Sequence, residues 1–309
     1  MDNIECDILL LGDYFFDQIF SGMPEFPSLG REICASELTT TGGAMFITAA
    51  ALTRLGVQVG WPADFGNDYY SKFVYDLAAR EGINLVLCRM LDRPYRLVTT
   101  SVPFQGERAF ITYADPRPEG QYEHWLSSID RCTFQHLHLG GLLDAEALRP
   151  ISEKVRALGR TISMDCQDGP YLYEPCTCRE LLPLVDIFMP NAREARLLTG
   201  APDTETAVRV LMEMVRLVVV KDGANGAWVG QNGSILHAPA VAAGPVVDTT
   251  GAGDCFNAGF LLGHVVEKQP LETCLRYGNI CGGLSVTAMG GATAAPTYAE
   301  LQRRLDSWR

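Results

Sequence analysis

Residues 248–260 read Asp-Thr-Thr-Gly-Ala-Gly-Asp-Cys-Phe-Asn-Ala-Gly-Phe. Gly251, Ala252 and Gly253 stand just before a helical run, Cys255–Val266. The first N–H groups of a helix have no partner within it, and the positive end of its dipole lies behind them. Small residues there let a phosphate approach the backbone closely. Asp254, in the first turn, repels a resting anion. Its chemical use is to take a proton from a hydroxyl that attacks phosphorus. Gly251–Asp254 thus reads as an anion hole with its base. A lone Gly-x-Gly-Asp also fits an ordinary helix start with an acidic first turn, but the stretch here is longer and more specific.

Ligands of open parallel sheets bind outside the carboxyl ends of the strands. Apolar, strand-like runs in this chain end on polar or glycine punctuation. Ile4–Leu11 ends at Gly12, Gln135–Leu139 at Gly140-Gly141, and Thr161–Met164 at Asp165. Val185–Met189 ends at Pro190-Asn191, and Leu217–Val220 at Lys221. Val57–Trp61 is a further short strand. Helical patterns fall between: Ala44–Leu55, opened by Gly42-Gly43, then Tyr69–Glu81, Ala145–Leu158, Ala192–Leu198 and Thr204–Met214. Such alternation predicts an α/β domain with a mostly parallel sheet covered on both faces. Two stretches differ. Ile33–Thr41 is rich in Thr and Ser, and Arg96–Tyr113 alternates, turns at a Gly and alternates again. They are expected to form one small added sheet.

Composition narrows the function. With 309 residues, 47% apolar and 20% charged, the chain is long enough for a substantial core and is not disordered. A net charge of −12 does not suit binding to nucleic acid or to an anionic membrane surface. No run of apolar residues is long enough to span a membrane. The acidic N-terminus lacks the basic segment of a secretory signal, and the ten cysteines are scattered. Reduced thiols in the cytoplasm are expected. Cys176-Thr-Cys178 is too close for a zinc clip, and His136 and His138, alternating on a strand, are expected to pack rather than bind metal. Neither a Walker A pattern nor a Gly-x-Gly-x-x-Gly after the first strand occurs.

The 248–260 stretch closely resembles the C-terminal signature of the ribokinase (PfkB) family of sugar and nucleoside kinases. Other segments resemble the family in order. Gly12 with Asp17 is similar to the element that binds substrate hydroxyls, and Gly42-Gly43 with the following helix to the N-terminal signature. Gly60, Gly66 and Asp68 resemble the next glycine-rich element. Asn191 and Glu194 match an Asn-x-x-Glu element tied to Mg²⁺ and phosphate. Lys221, Gly223 and Gly226 resemble the strand-turn beside the nucleotide. Asn279 and the Ser285–Gly290 loop match the region flanking adenine and, in many members, a monovalent cation, with Asp248 and Thr250 at the cation position.

The resemblance implies a three-layer α/β/α ribokinase-like domain over residues 1–309, with a small β-sheet lid formed near 14–41 and 93–117. It implies an ATP- and Mg²⁺-dependent kinase acting on an alcohol of a sugar or polyol, with K⁺ as a candidate activator. A nucleoside kinase and a catalytically silent sugar-binding regulator are the alternatives. In this scheme Asp254 is the base, Gly251, Ala252 and Gly253 form the anion hole, and Asp17, Gly42 and Gly43 hold the substrate. The exposed lid face is a candidate homodimer surface.

The chain departs from the family in two places. Ile47 stands where most members have an Asn that hydrogen-bonds the sugar. Asp165-Cys166-Gln167-Asp168-Gly169 stands where one branch reads Asp-x-Asn-x-Arg, and Tyr171 and Tyr173 follow. The missing guanidinium argues against the acidic substrates of that branch.

Overall fold

The computed structural model describes residues 3–105, 107–167 and 177–306. Asp168, Gly169, Tyr171, Tyr173, Cys176 and the Cys178 side chain lie outside the described residues. The principal strands are β1 (Ile8–Leu11), β2 (Tyr14–Ser21), β3 (Glu37–Ala44), β4 (Val59–Gly60), β5 (Leu97–Phe104) and β6 (Glu107–Ala114). They continue with β7 (His136–Leu139), β8 (Thr161–Asp165), β9 (Ile187–Met189), β10 (Leu217–Lys221), β11 (Ala227–Gln231) and β12 (Ser234–Ala238). The helices used below are α1 (Met45–Arg54), α2 (Tyr69–Arg80), α3 (Gln121–Arg131), α4 (Ala145–Ala157), α5 (Ala192–Thr199), α6 (Thr204–Leu211), α7 (Ala252–Leu261) and α8 (Leu271–Ser285).

The main sheet has the order β12-β11-β10-β9-β8-β7-β1-β4. Neighbours from β10 to β4 are parallel, whereas β11 and β12 fold back antiparallel. Strand side chains alternate between faces, and each face feeds its own core. Ile8, Leu10 and Val219 pack with α1, α7 and α8 on one side; Leu9, Leu11 and Val220 pack with α3, α4 and α6 on the other. The result is a sheet between two helical layers, as the alternation of patterns predicts. A separate small sheet runs β3-β2-β5-β6.

Several expected elements are corrected. Ile4–Leu11 is not one strand. Ile4–Glu5 pairs with Cys132–Thr133, and the chain breaks at Asp7, whose carboxylate accepts the Gln58 N–H at 2.9 Å. Gly42-Gly43 does not open a helix: it ends β3, and α1 begins at Met45. The 33–41 region and the 96–113 hairpin do share one small sheet, as expected, with β2 inserted between them and paired with both. Cys255–Val266 is an α-helix from Ala252 to Leu261 followed by a π-helical turn at Leu262–Val266. Of Val185–Met189, only Ile187–Met189 belongs to the sheet as a strand.

His136 and His138 are fully buried on one side of β7. Ser163 Oγ lies 2.7 Å from both His136 Nε2 and His138 Nδ1, and Thr161 Oγ1 lies 2.7 Å from His136 Nδ1. Burial pushes the His138 imidazole down to about 4 and that of His136 well below its ordinary value, so both are neutral at pH 7. The pair is a packed polar cluster, and no group of three or more metal-ligating side chains is found among the described residues. Ser163→Ala removes one partner from each ring; an unmade buried hydrogen bond costs about 1–3 kcal/mol. Urea unfolding should show a loss of at least about 1 kcal/mol, and an unchanged midpoint would contradict the cluster's structural role.

Candidate active site

The parallel strands deliver their last residues to one edge of the sheet. Gly12 follows β1, Gly140 follows β7, Asp165 ends β8, Asn191 follows β9 and Lys221 ends β10. The N-termini of α1, α5 and α7 meet them there.

Helix α7 starts without a side-chain cap, from Gly251 at φ +71°. That left-handed backbone favours glycine. Space requires it too: a Cβ at Gly251 would stand 2.7 Å from Ile47 Cδ1 and 3.1 Å from Gly291 Cα. Ile47 therefore packs behind the nest of backbone N–H groups. Asp248 braces the approach to it: its two carboxylate oxygens accept the Thr250 N–H at 2.9 Å and the Gly290 N–H at 3.0 Å. Thr250 Oγ1 accepts a bond of 3.3 Å from Arg108, which the small sheet extends to this point from β6.

Asp254 sits in the first turn of α7, and its Oδ1 accepts the Thr48 hydroxyl of α1 at 3.0 Å. Burial, followed by the charge of Asp165, pushes its carboxyl up to about 7; Lys221 and Thr48 oppose the rise. Asp17 is buried on β2, and burial together with the charges of Asp254 and Asp248 pushes it to about 7 as well. A Cβ at Gly43 would meet the Asp17 carboxylate at 2.2 Å, so only glycine leaves that carboxylate its place. Gly42 is likewise closed in, by the Phe46 ring at 2.4 Å from a Cβ. The two elevated carboxyls, Asp17 and Asp254, thus lie within electrostatic reach of each other at the anion nest.

Lys221 is the cation beneath them. Its Nζ donates to Asp165 Oδ1 at 2.7 Å and to Asn257 Oδ1 at 3.3 Å, while Asn257 Nδ2 donates to Asp165 Oδ2 at 2.6 Å. Burial alone would lower the ammonium, but Asp165, Glu194 and Asp254 outweigh it and leave it raised. A Cβ at Gly253 would lie 3.5 Å from Nζ, which places the charge beside the nest.

Asn191 and Glu194 form a reciprocal capping box at the start of α5: Asn191 Oδ1 accepts the Glu194 N–H at 2.9 Å, and Glu194 Oε2 accepts the Asn191 N–H at 2.8 Å. Asn191 bridges to Lys221. Gly226 and Asn279 gather elsewhere, around residues 238–240, and Gly223 opens the short turn Gly223–Asn225 just before Gly226. Asn279 Nδ2 donates to the carbonyls of Ala238 and Pro239 at 3.1 and 3.0 Å, and a Cβ at Gly226 would stand 2.1 Å from the Ala238 carbonyl oxygen. Thr48, Asn257 and Arg108 escaped the sequence reading. Asn257 carried a signal, being three residues after Asp254 on the same helix face; Arg108 carried none.

Lys221→Met leaves Asp165, only 7% exposed, without its cation. Breaking a buried pair from one side costs about 3–5 kcal/mol. Chemical denaturation should show a loss of that order, and a change below about 1 kcal/mol would mean that Asn257 alone suffices to hold Asp165.

Residues 32–298 match the model of the pfkB family carbohydrate kinases. The chain is 30% identical over 293 residues to a fructokinase of Klebsiella pneumoniae, covering 87% of this chain and 92% of that protein. It is 35% identical over 281 residues to a cytidine kinase of Thermococcus kodakarensis, covering 88% and 93%. The Arabidopsis thaliana ribokinase solved with ribose and ATP superposes with a TM-score of 0.82 at 23% identity, covering 99% of each chain. Family match, topology and the nest with its aspartate agree: this chain belongs to the pfkB family of carbohydrate kinases.

Proposed function

We propose that the chain transfers the γ-phosphoryl group of ATP to a hydroxyl of a sugar or polyol, with Asp254 as the base. The observation that carries this is the Asp254 carboxyl, raised to about 7 at the mouth of an uncapped helix N-terminus. A base with a pKa near working pH accepts a proton readily and is still ionised. The acceptor hydroxyl gives its proton to Asp254 while its oxygen bonds phosphorus. The bond from phosphorus to the β,γ-bridging oxygen breaks, and ADP leaves. Backbone N–H groups of Gly251, Ala252 and Gly253 take up charge on the transferring oxygens, and Lys221 and Arg108 add positive charge from two sides. Asp17 accepts two hydroxyl protons and selects a vicinal diol, with Gly42 and Gly43 lining the strand beside it.

The donor set fits Mg²⁺ held mainly by phosphate oxygens and water, because no cluster of three acidic or imidazole ligands exists among the described residues. Asn191 and Glu194 would hold it through water, and the ion would neutralise the β- and γ-phosphates. The same reading assigns K⁺ to Asp248 and the Thr250 carbonyl, and the adenine end to Gly223, Gly226 and Asn279. The small sheet serves as the lid of a single domain, since it carries both Asp17 and Arg108. Leu38, Ile111 and Tyr113 stand 58%, 73% and 53% exposed on it, an apolar surface we assign to a second copy of the chain. The reduced cysteines suit the cytoplasm.

A coupled ATPase assay with Mg²⁺ and a panel of sugars and polyols tests the reading. The base must be unprotonated to act, so protonation removes activity. The free enzyme's kcat/KM should fall below about pH 7 with a slope approaching tenfold per pH unit, following the raised Asp254 carboxyl. A profile flat down to pH 5 would remove Asp254 as the base.

A further inference from the structure

Helix α1 carries Ile47 and Thr48 against the site and ends at Arg54. Ile47, Ala51 and Arg54 are spaced by four and three residues and share one helix face. Ile47 and Arg54 stand about 10 Å apart along the axis. The Arg54 side chain is only 24% exposed, and its guanidinium is fully engaged. Nε and Nη2 donate to the two carboxylate oxygens of Glu81, just past the end of α2, at 2.8 Å each. Nη1 donates to three backbone carbonyls: Ala292 at 2.6 Å, Thr293 at 3.0 Å and Ala295 at 3.3 Å. A guanidinium fork makes both sets at once, which an ammonium cannot.

The segment held in this way has no ladder of its own. Residues 286–297 are neither helix nor strand. Turns tie it together, from the Thr293 N–H to the Gly290 carbonyl and from the Ala295 N–H to the Ala292 carbonyl. Ala292 and Ala295 are buried, and buried carbonyls need partners. Arg54 supplies them.

The near end of the same segment backs the nest. Asp248 accepts the Gly290 N–H with one oxygen and the Thr250 N–H with the other. Gly291 lies against Ile47: a Cβ there would stand 2.7 Å from Ile47 Cδ1, as would a Cβ at Gly251. One methyl group therefore separates the start of the nest from the segment that Arg54 holds. Glu81 neutralises the guanidinium, so what Arg54 supplies to the nest is geometry rather than charge. We propose, building on the kinase reading above, that Arg54 is a positioning residue for phosphoryl transfer. By fixing residues 292–295 it makes Gly290 and Gly291 hold the Gly251–Gly253 nest in place beside Asp254. Thr48 holds the Asp254 carboxyl from the same helix, so α1 sets base and nest as one rigid body. The nest acts on charge that develops in the transition state, so displacing it lowers kcat more than it weakens ATP.

The test uses Arg54→Ala and Arg54→Lys with two readouts. The first is amide hydrogen exchange of the free protein, which needs no turnover. Both variants should exchange faster at residues 248–253 as well as at 286–296, with β8 and β10 unchanged. The second is turnover with ATP, Mg²⁺ and the best acceptor of the sugar and polyol panel. For Arg54→Ala kcat should fall by about 10²-fold, the cost of roughly 1 Å of misplacement. The KM for ATP should stay within about threefold of wild type. Arg54→Lys keeps the charge, loses the fork and should lose about tenfold in kcat; it carries both readouts if Arg54→Ala does not fold. Faster exchange confined to 286–296, or spread evenly over the main sheet, overturns the inference and leaves the kinase reading intact. So does a rise in KM without a fall in kcat. If wild type transfers phosphate to no acceptor, the kinase reading fails, and exchange at 248–253 alone decides whether Arg54 holds the nest.

Discussion

The ammonium of Lys221 lets several acids converge on one end of a sheet. Its bond of 2.7 Å to Asp165 lies with both side chains about one-tenth exposed. A buried pair of this kind is a weak source of net stability, because desolvating two charges offsets most of their attraction. What it provides is a fixed positive charge beside the nest, in surroundings where Asp17 and Asp254 have lost their solvation. The two aspartates are raised to about 7 first by burial and then by neighbouring acids, Asp165 beside Asp254, and Asp254 with Asp248 beside Asp17; Lys221 and Thr48 offset only part of the rise at Asp254. The same burial that fixes Asp165 therefore raises the Asp254 carboxyl, as the proposed base requires.

That balance also explains why the small sheet and the main sheet act together. Asp17 comes from β2, Arg108 from β6, and both face groups on α7 or the loop before it. Phosphoryl transfer asks little covalent chemistry of a protein and much positioning of charge. Here the positive groups come from a strand end, a helix N-terminus and a hairpin, and the acids from a strand of the small sheet and a helix turn.

The local parts of this arrangement were legible in the sequence. The nest and Asp254 lie within one continuous stretch, and the capping box of Asn191 and Glu194 spans three residues. Strand ends were readable because apolar runs stop at Asp165, Asn191 and Lys221. The parts that were not readable join distant residues: Thr48 to Asp254, Arg108 to Thr250, and Lys221 to Asp165. No spacing rule reaches across 206, 142 or 56 positions. Strand β2 hid for another reason. Phe15 lines a cavity beside Gly12 while Phe16 packs on Tyr70 and Phe73 of α2, so the strand is apolar on both faces and shows no alternation. The two glycines before α1 likewise carry no periodic signal, and their place at the end of β3 depends on Asp17 and Phe46.

The central claim is that Asp254 moves the proton. The turnover of Asp254→Asn at pH 8, with saturating ATP and acceptor, tests it most directly. Asn keeps an oxygen for the Thr48 hydroxyl and lacks the basic site, and it also removes a charge that burial disfavours, so the variant should melt no lower than wild type. The account predicts a fall in kcat of about 10²–10⁴, the usual worth of a positioned base, with ATP affinity retained. Turnover within a few-fold of wild type would contradict it.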